Sequence, residues 1–420
     1  MRIAIIGSGI SGLTVANKLS RNHAVTVYEA QTYVGGHTAT VDVEVAGATH
    51  AIDTGFIVYN DRTYPNFIKL LQQLGVSSQA TTMGFSMSCQ RSGLEYSGAG
   101  LSSLFAQRKN IISPTFLRLV RDIVRFNSSA TRDYDALALS GQQTLGEYLA
   151  LNAYSQGFID HYLAPMASAI WSTSLNSVLD FPILFFIEFF KNHGLLQLSN
   201  RPQWRTIRGG SREYIAPLIR PFKEYIHLNC AVRRICRNDN RIELSTDRFG
   251  TEFYDHVVIA THSDQALEML FDASYLEQEI LGAIPYVENS VVLHTDESIL
   301  PSLQSTWSSW NYLIPKQERS KPVLTYNMNI LQGIEADKTF CVTLNGDDLL
   351  DEREVLGRYS YSHPEFSEGA VAAQELWRGL NGKRNTWYCG AYWGNGFHED
   401  GVTSALRVVE AMLHGGLNRG

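Results

Sequence analysis

The hydrophobic positions of this chain change period along its length, and the changes outline its elements. Ile3–Ile6 form a short continuous apolar run that enters Gly7-Ser8-Gly9-Ile10-Ser11-Gly12. A buried strand, a glycine turn and a helix are predicted there. Ala24–Tyr28 predicts a second strand ending at Glu29. Phe116, Leu117, Val120, Ile123 and Val124 recur at helical spacing, with Leu119 and Phe126 widening the stripe. Val402, Ala405, Leu406, Val409, Met412 and Leu413 do the same near the end, where Asp400 is the expected N-cap. Ser290–Thr295 and Pro322–Asn327 alternate or run apolar as strands do. The most apolar stretch, Phe181–Phe190, predicts a core helix capped by Asp180 with Pro182 in its first turn. A second reading makes it the wall or mouth of an acyl-chain tunnel that dips into a membrane surface.

The strand–turn–helix–strand order gives the glycines a chemical meaning. Gly7 permits the tight turn, Gly9 lets the backbone approach a pyrophosphate, and Gly12 lets helix and strand pack closely. Free N–H groups and the helix dipole at Ile10 and Ser11 favour the phosphates. Glu29 stands 22 positions after Gly7, the spacing of an acid that hydrogen-bonds an adenosine ribose. An acid there opposes the extra phosphate of NADP by charge repulsion but does not separate NAD from FAD. The plain alternative is a glycine turn in an ordinary βαβ unit.

The residues after Glu29 point to flavin. Ala30 is followed by Gly35-Gly36-His37-Thr38 and then by Asp53-Thr54-Gly55-Phe56. Here the chain resembles the flavin-containing amine oxidase superfamily, which includes protoporphyrinogen oxidases and phytoene desaturases. The superfamily usually has arginine where this chain has His37, so a hydrogen bond to flavin or substrate and a mere turn spacer both stay open for that ring. The resemblance continues at Gly209-Gly210-Ser211, at Val232 (whose backbone it places against adenine) and at Ala260-Thr261. It ends at Tyr388-Cys389-Gly390 through Phe397-His398-Glu399-Asp400-Gly401, where a helix points at the isoalloxazine. Non-covalent FAD, rather than NAD, is what these matches imply.

A narrower resemblance rests on Asp53–Asn60, Leu293–Asp296, Ser309–Tyr312 and Gly396–Gly401. These phrases are similar to a bacterial group of FAD-binding oxidoreductases encoded beside cyclopropane-fatty-acid synthases, one branch of which is linked to furan fatty acid formation. That resemblance implies a fatty-acyl lipid substrate, a neighbouring methyltransferase-type lipid enzyme, and contact with the inner face of the cell membrane. The implied fold is α/β: a discontinuous Rossmann-like FAD-binding domain (1–80, 205–270 and 386–420) with an α+β substrate domain (81–204 and 271–385).

Composition narrows the partners. The 35 basic and 42 acidic residues leave −7, which argues against nucleic acid. Five cysteines without a C-x-x-C pair suit reduced thiols, and no signal peptide is readable, so a cytoplasmic place is expected. His398, Glu399 and Asp400 look like metal ligands, yet adjacent residues rarely converge on one ion, and a capping turn is the better reading.

No other catalytic signature is present: Leu13 and Glu213 break any G-x-S-x-G, and H-E-x-x-H is absent. A flavin accepts hydride, so the protein chiefly orients a C–H bond and excludes water. Substrate-side candidates are Tyr59, Asn60, Trp171, His294, Trp310, Asn311, Tyr312, Tyr326 and Asn327, with His294 the first choice of base. Three functions stand: desaturation or dehydrogenation of an acyl chain, oxidation of an amine with peroxide release, or flavin binding without turnover beside a lipid enzyme.

Overall fold

In the computed structural model, which describes residues 1–140, 142–171, 174–197, 199–238 and 241–415, a five-stranded parallel sheet lies at the centre of the largest core. Its order is Ile226–His227, Ala24–Tyr28, Arg2–Ile6, His256–Ile259, Thr386–Tyr388. Neighbouring strands therefore come from distant parts of the chain, with Ile5 beside both Val27 and Val258. Parallel strands need crossovers and are covered on both faces, which accounts for the unbroken apolar runs. One cover is the helix Ile10–Leu19, against which the C-terminal helix His398–Gly415 packs. Gly401 makes their approach possible, since a Cβ there would meet Ile10 Cγ2 at 2.9 Å and Ser11 Oγ at 3.0 Å.

A second sheet of seven strands is ordered Val355–Pro364, Tyr286–His294, Cys341–Leu344, Val323–Asn327, Trp310–Ile314, Phe85–Cys89, Leu94–Ser97. Its pairs are antiparallel except Trp310–Ile314 with Phe85–Cys89. A third, smaller sheet pairs Trp204–Ile207 with Tyr59–Asn60 and with Ser78–Ala80. The α/β class, with its Rossmann-like parallel sheet, is the expected one.

The helices between residues 101 and 192 enclose an aromatic core of their own. Trp171 is ringed by Phe181, Phe185, Phe186, Phe189 and Phe190. Two expectations are corrected here. The Phe181–Phe190 helix spans Ile183–Asn192 with Pro182 as N-cap, and Asp180 instead ends the preceding helix Leu175–Leu179. The Pro114–Asp135 helix buries Phe116, Leu119 and Phe126, whereas Leu117 and Val124 face outward. At 100° per residue the expected stripe was too wide for one face, and the neighbours chose its narrower half. All five cysteines are free thiols. No described helix is long and apolar enough to cross a membrane.

Candidate flavin site

The site begins where Arg2–Ile6 stops. Gly7 takes φ +98° and donates its N–H to the Tyr28 carbonyl at 2.8 Å, turning the chain across the sheet end. A Cβ on Gly12 would lie 2.0 Å from the Gly7 carbonyl oxygen, so only glycine lets the helix start this close to the turn. Gly9 caps Ile10–Leu19 without any side-chain bond, and a Cβ on it would meet nothing within 4 Å. The first helical N–H groups therefore have no side-chain cap, the arrangement that favours an anion. Gly35 and Gly36, both at positive φ, close the other side, with Gly35 bridged to Gly9.

Glu29 is buried at the second strand's end. Its Oε2 accepts from Ser8 N at 2.9 Å and Ser8 Oγ at 2.6 Å, and its Oε1 from Gln31 N at 2.9 Å. Its carboxylate braces the glycine turn. Residues 229–232 run alongside, with Cys230 N donating to the Glu29 carbonyl, which puts the Val232 backbone at the same strand end. Ala30 is exposed beside them. Ala260 N donates to Ile6 O at 2.8 Å and brings Ala260-Thr261 against Gly7.

Further along the crevice a second group converges. His398 stacks on Phe56 at 3.6 Å with rings 6° apart, and its Nε2 meets Tyr214 OH at 2.9 Å and Thr38 Oγ1 at 3.2 Å. Thr38 and Tyr214 also bond to each other. Burial drives the His398 pKa down to about 3, helped by His37, so the ring is neutral at pH 7. Gly55 approaches so closely that a Cβ would sit 2.1 Å from the His37 carbonyl oxygen.

His37 itself is half-buried among Tyr361, His363 and His262, with ring centroids at 5.1, 5.6 and 6.1 Å. It bonds the Ser362 backbone through Nδ1, while Nε2 is buried with no partner among the described residues. Desolvation first, and then His262, lower its pKa to about 4. Burial likewise lowers His262 to about 4 and His363 to about 3. Asp53 Oδ1 accepts from Thr40 Oγ1, Ser211 N and Ser211 Oγ, but its Oδ2 is buried and unpartnered, and desolvation lifts its pKa to about 6.

Several sequence-based roles need correction. Glu399 does not face the crevice: its oxygens accept from Asn66 N (3.0 Å) and Phe67 N (2.9 Å), capping the helix Pro65–Leu74, which has no cap of its own. Asp400 is inside the first turn of its helix rather than ahead of it, and bonds back to Phe397 N at 2.9 Å. His294 lies at the opposite end of its strand from Val287, the residue that pairs with His363. Its Nε2 meets Thr343 Oγ1 at 2.7 Å and its Nδ1 accepts from Asp296 N at 3.1 Å, so neither nitrogen is free to act as a base. Trp310 and Tyr326 meet edge to face at 5.5 Å in the covering sheet, and Tyr59 is buried against Phe67.

Three amides are also structural. Asn60 bonds Arg62 N and Thr63 N in a turn, Asn311 is fully bonded to Ser86, Ser308 and Thr325, and Asn327 caps Met328–Gln332. Tyr312 belongs to a buried cluster with Phe116 and Leu119. Gly390 N donates to Ser404 Oγ, Ser11 Oγ to Gly401 O, and Phe397 stacks on Phe189 at 5.2 Å. Sequence reasoning missed Tyr214, Tyr361, His262 and His363. The strict alternation Tyr359, Tyr361, His363 was a usable strand signal, and Tyr214 and His262 each come just after a turn already singled out.

The residues fit FAD. The uncapped helix start at Gly9, the Glu29 carboxylate and the unpartnered His37 Nε2 offer a phosphate site, a ribose acceptor and a polar group within one crevice. The profile of the flavin containing amine oxidoreductase family matches residues 10–313. Among solved structures, the fold is similar to putrescine oxidase bound to putrescine (TM-score 0.69, 14% identity, 98% of this chain and 99% of that one). It is also similar to cyclohexylamine oxidase from Brevibacterium oxydans IH-35A (0.68, 15%, 98% of each chain). A third likeness is to the CLA-producing fatty acid isomerase from P. acnes (0.69, 15%, 98% of each chain). No curated protein sequence matches the chain significantly. The chain belongs to the flavin containing amine oxidoreductase family and is an FAD-dependent oxidoreductase.

Proposed function

We propose that this oxidoreductase acts on a fatty acyl chain, as a desaturase or dehydrogenase of a methylated acyl group carried on phospholipid. The observation that carries the reading is an aromatic wall. Trp171, Phe185, Phe189 and Phe366 reach Phe397 by ring contacts, and Phe397 adjoins His398 in the crevice. His193, stacked on Phe189 at 3.9 Å, is kept neutral by burial and brings no charge to the wall. Such a wall welcomes methylene groups and opposes an ammonium ion, whose transfer from water requires a counter-charge. The likeness to a fatty acid isomerase and the phrases shared with the cyclopropane-synthase-linked group support the same reading, and with it a neighbouring lipid methyltransferase as partner.

FAD supplies the hydride acceptor. The residues of the chain bind the acyl group, exclude water and deal with the second hydrogen, which leaves as a proton. In this reading His37 Nε2, neutral, buried and unpartnered, receives it. Amine oxidation is the second reading, favoured by one feature: the unpartnered Asp53 Oδ2, a carboxylate oxygen that an ammonium could meet.

Anaerobic bleaching of the oxidised flavin band tests the two. Holoprotein is mixed separately with phospholipid bearing methylated acyl chains, with unmodified bacterial phospholipid and with a panel of amines. Reduction by methylated lipid alone is expected. Reduction by an amine would replace the acyl reading, and a yellow protein reduced by none of them would point to flavin binding without turnover.

A further inference from the structure

We propose that residues 101–125 form a docking surface for an anionic lipid bilayer. Five apolar side chains in this one stretch are left in water: Leu101 (77% exposed), Ile111 (54%), Ile112 (82%), Leu117 (43%) and Val124 (50%). Single exposed leucines are ordinary, but five within one stretch of chain mark a contact surface. They sit on the helix Leu101–Leu104, the 3-10 turn Arg108–Ile112 and the outer face of Pro114–Asp135.

Charge selects the occupant. Arg108, Lys109, Arg118 and Arg121 are exposed among these apolar groups, and none makes a salt bridge or side-chain hydrogen bond among the described residues. The one acid in the stretch, Asp122, is buried and engaged with Arg125 and Ser155. A stretch with unpaired cations stands out on a chain of net charge −7. Apolar tips interspersed with cations suit an interface in which side chains sink below anionic headgroups while guanidinium groups stay at headgroup level. A flat protein partner would instead favour one contiguous apolar patch with its charges at the rim.

The helix links this surface to the interior. Its outer face carries Leu117, Arg121 and Val124, and its inner face sends Phe126 into the aromatic cluster around Trp171. Docking would therefore set the aromatic wall beside the bilayer. The docking claim itself rests on the surface alone and does not need the acyl reading.

The test is sedimentation of holoprotein with sucrose-loaded vesicles of phosphatidylcholine, with or without phosphatidylglycerol, at low and high salt. Pelleting with the anionic vesicles, weakened by salt, is expected. Ile111→Ser/Ile112→Ser and Arg118→Gln/Arg121→Gln should each reduce binding roughly tenfold while flavin absorbance and circular dichroism stay as in the parent. Three outcomes overturn the proposal: no pelleting on anionic vesicles, pelleting of both variants equal to that of the parent, or a change in particle mass by light scattering in the isoleucine variant without vesicle binding. The last would give the patch to a second copy of the chain. Binding is read without turnover, so a failed bleaching assay removes the acyl reading and leaves this result standing.

Discussion

The crevice around Gly9 and the helical layer around Trp171 are both buried, yet they are held by different physics. In the crevice, backbone groups come close: Gly12 to Gly7 and Gly55 to His37, with Gly401 against the Ile10 side chain. Its polar atoms are bonded to named partners, with His37 Nε2 and Asp53 Oδ2 buried and unpartnered. In the helical layer, aromatic rings fill most of the volume, with a few polar pairs such as Ser155 with Asp122 and Tyr148 with Asp133 among them. The first region is specified by geometry and the second by size, so the two should respond differently to substitution.

The sharpest break is Gly12→Ala. A methyl group 2.0 Å from the Gly7 oxygen has no room, so the variant should be purified without flavin or not at all, judged by the absorbance ratio of flavin to protein. Next comes Glu277→Ala, which leaves Arg237 buried and without Glu277, the more deeply buried of the acids that now surround it with Tyr388. Asp272 still pairs the guanidinium, so a loss of about 1–3 kcal/mol in urea unfolding is expected. His37→Asn should keep flavin bound and slow anaerobic reduction by the true substrate by about 10²-fold or more, if the ring receives the proton. Unchanged reduction would leave His37 as a turn spacer. In the helical layer, Phe186→Leu should cost only about 1–2 kcal/mol and leave flavin content untouched. An equal loss of flavin there would erase the contrast between the regions.

Acid should act on the crevice by a related route. His37, His262, His363 and His398 titrate near 6.5 when unfolded but at about 3 to 4 when folded, because burial opposes their charge. The unfolded chain therefore binds more protons between these values, and their contribution is complete above pH 6.5 and lost as pH falls toward 3. Asp53 and Asp400, raised by desolvation to about 6 and about 7 from 3.8, work in the opposite sense: they add stability at low pH that fades as pH rises through 6 to 7. Four histidines against two acids predict a net loss on acidification, which stability measured by denaturant at pH 7 and pH 5 would check.

Much of the first region was legible from local pattern. The strand Arg2–Ile6, its turn and Glu29 are close in sequence, and short-range sterics alone set the spacing of Gly7, Gly9 and Gly12. The strands at 286–294 and 323–327 and the C-terminal helix also announce themselves by period. Roles set by distant contacts were not readable. Glu399 belongs to a motif that resembles a flavin segment, but the N-terminus of Pro65–Leu74 arrives beside it and takes both oxygens. His294 has the chemistry of a base, and only strand register shows it bonded to Thr343 at the far end from His363.

The sequence by itself determined that this chain builds a dinucleotide crevice, because glycine spacing and strand–helix order are local and leave few alternatives, and the resemblance of its later segments to the flavin-containing amine oxidases implied that the dinucleotide is FAD. The tertiary structure decided which polar groups remain available there. It placed His37 in a pocket of aromatic and imidazole rings, joined Thr38 and Tyr214 to His398, and left Ile111 and Ile112 outside the core. A side chain's partners depend on segments far away along the chain, and hydrophobicity alone cannot say whether an apolar face meets the core or the surroundings of the protein.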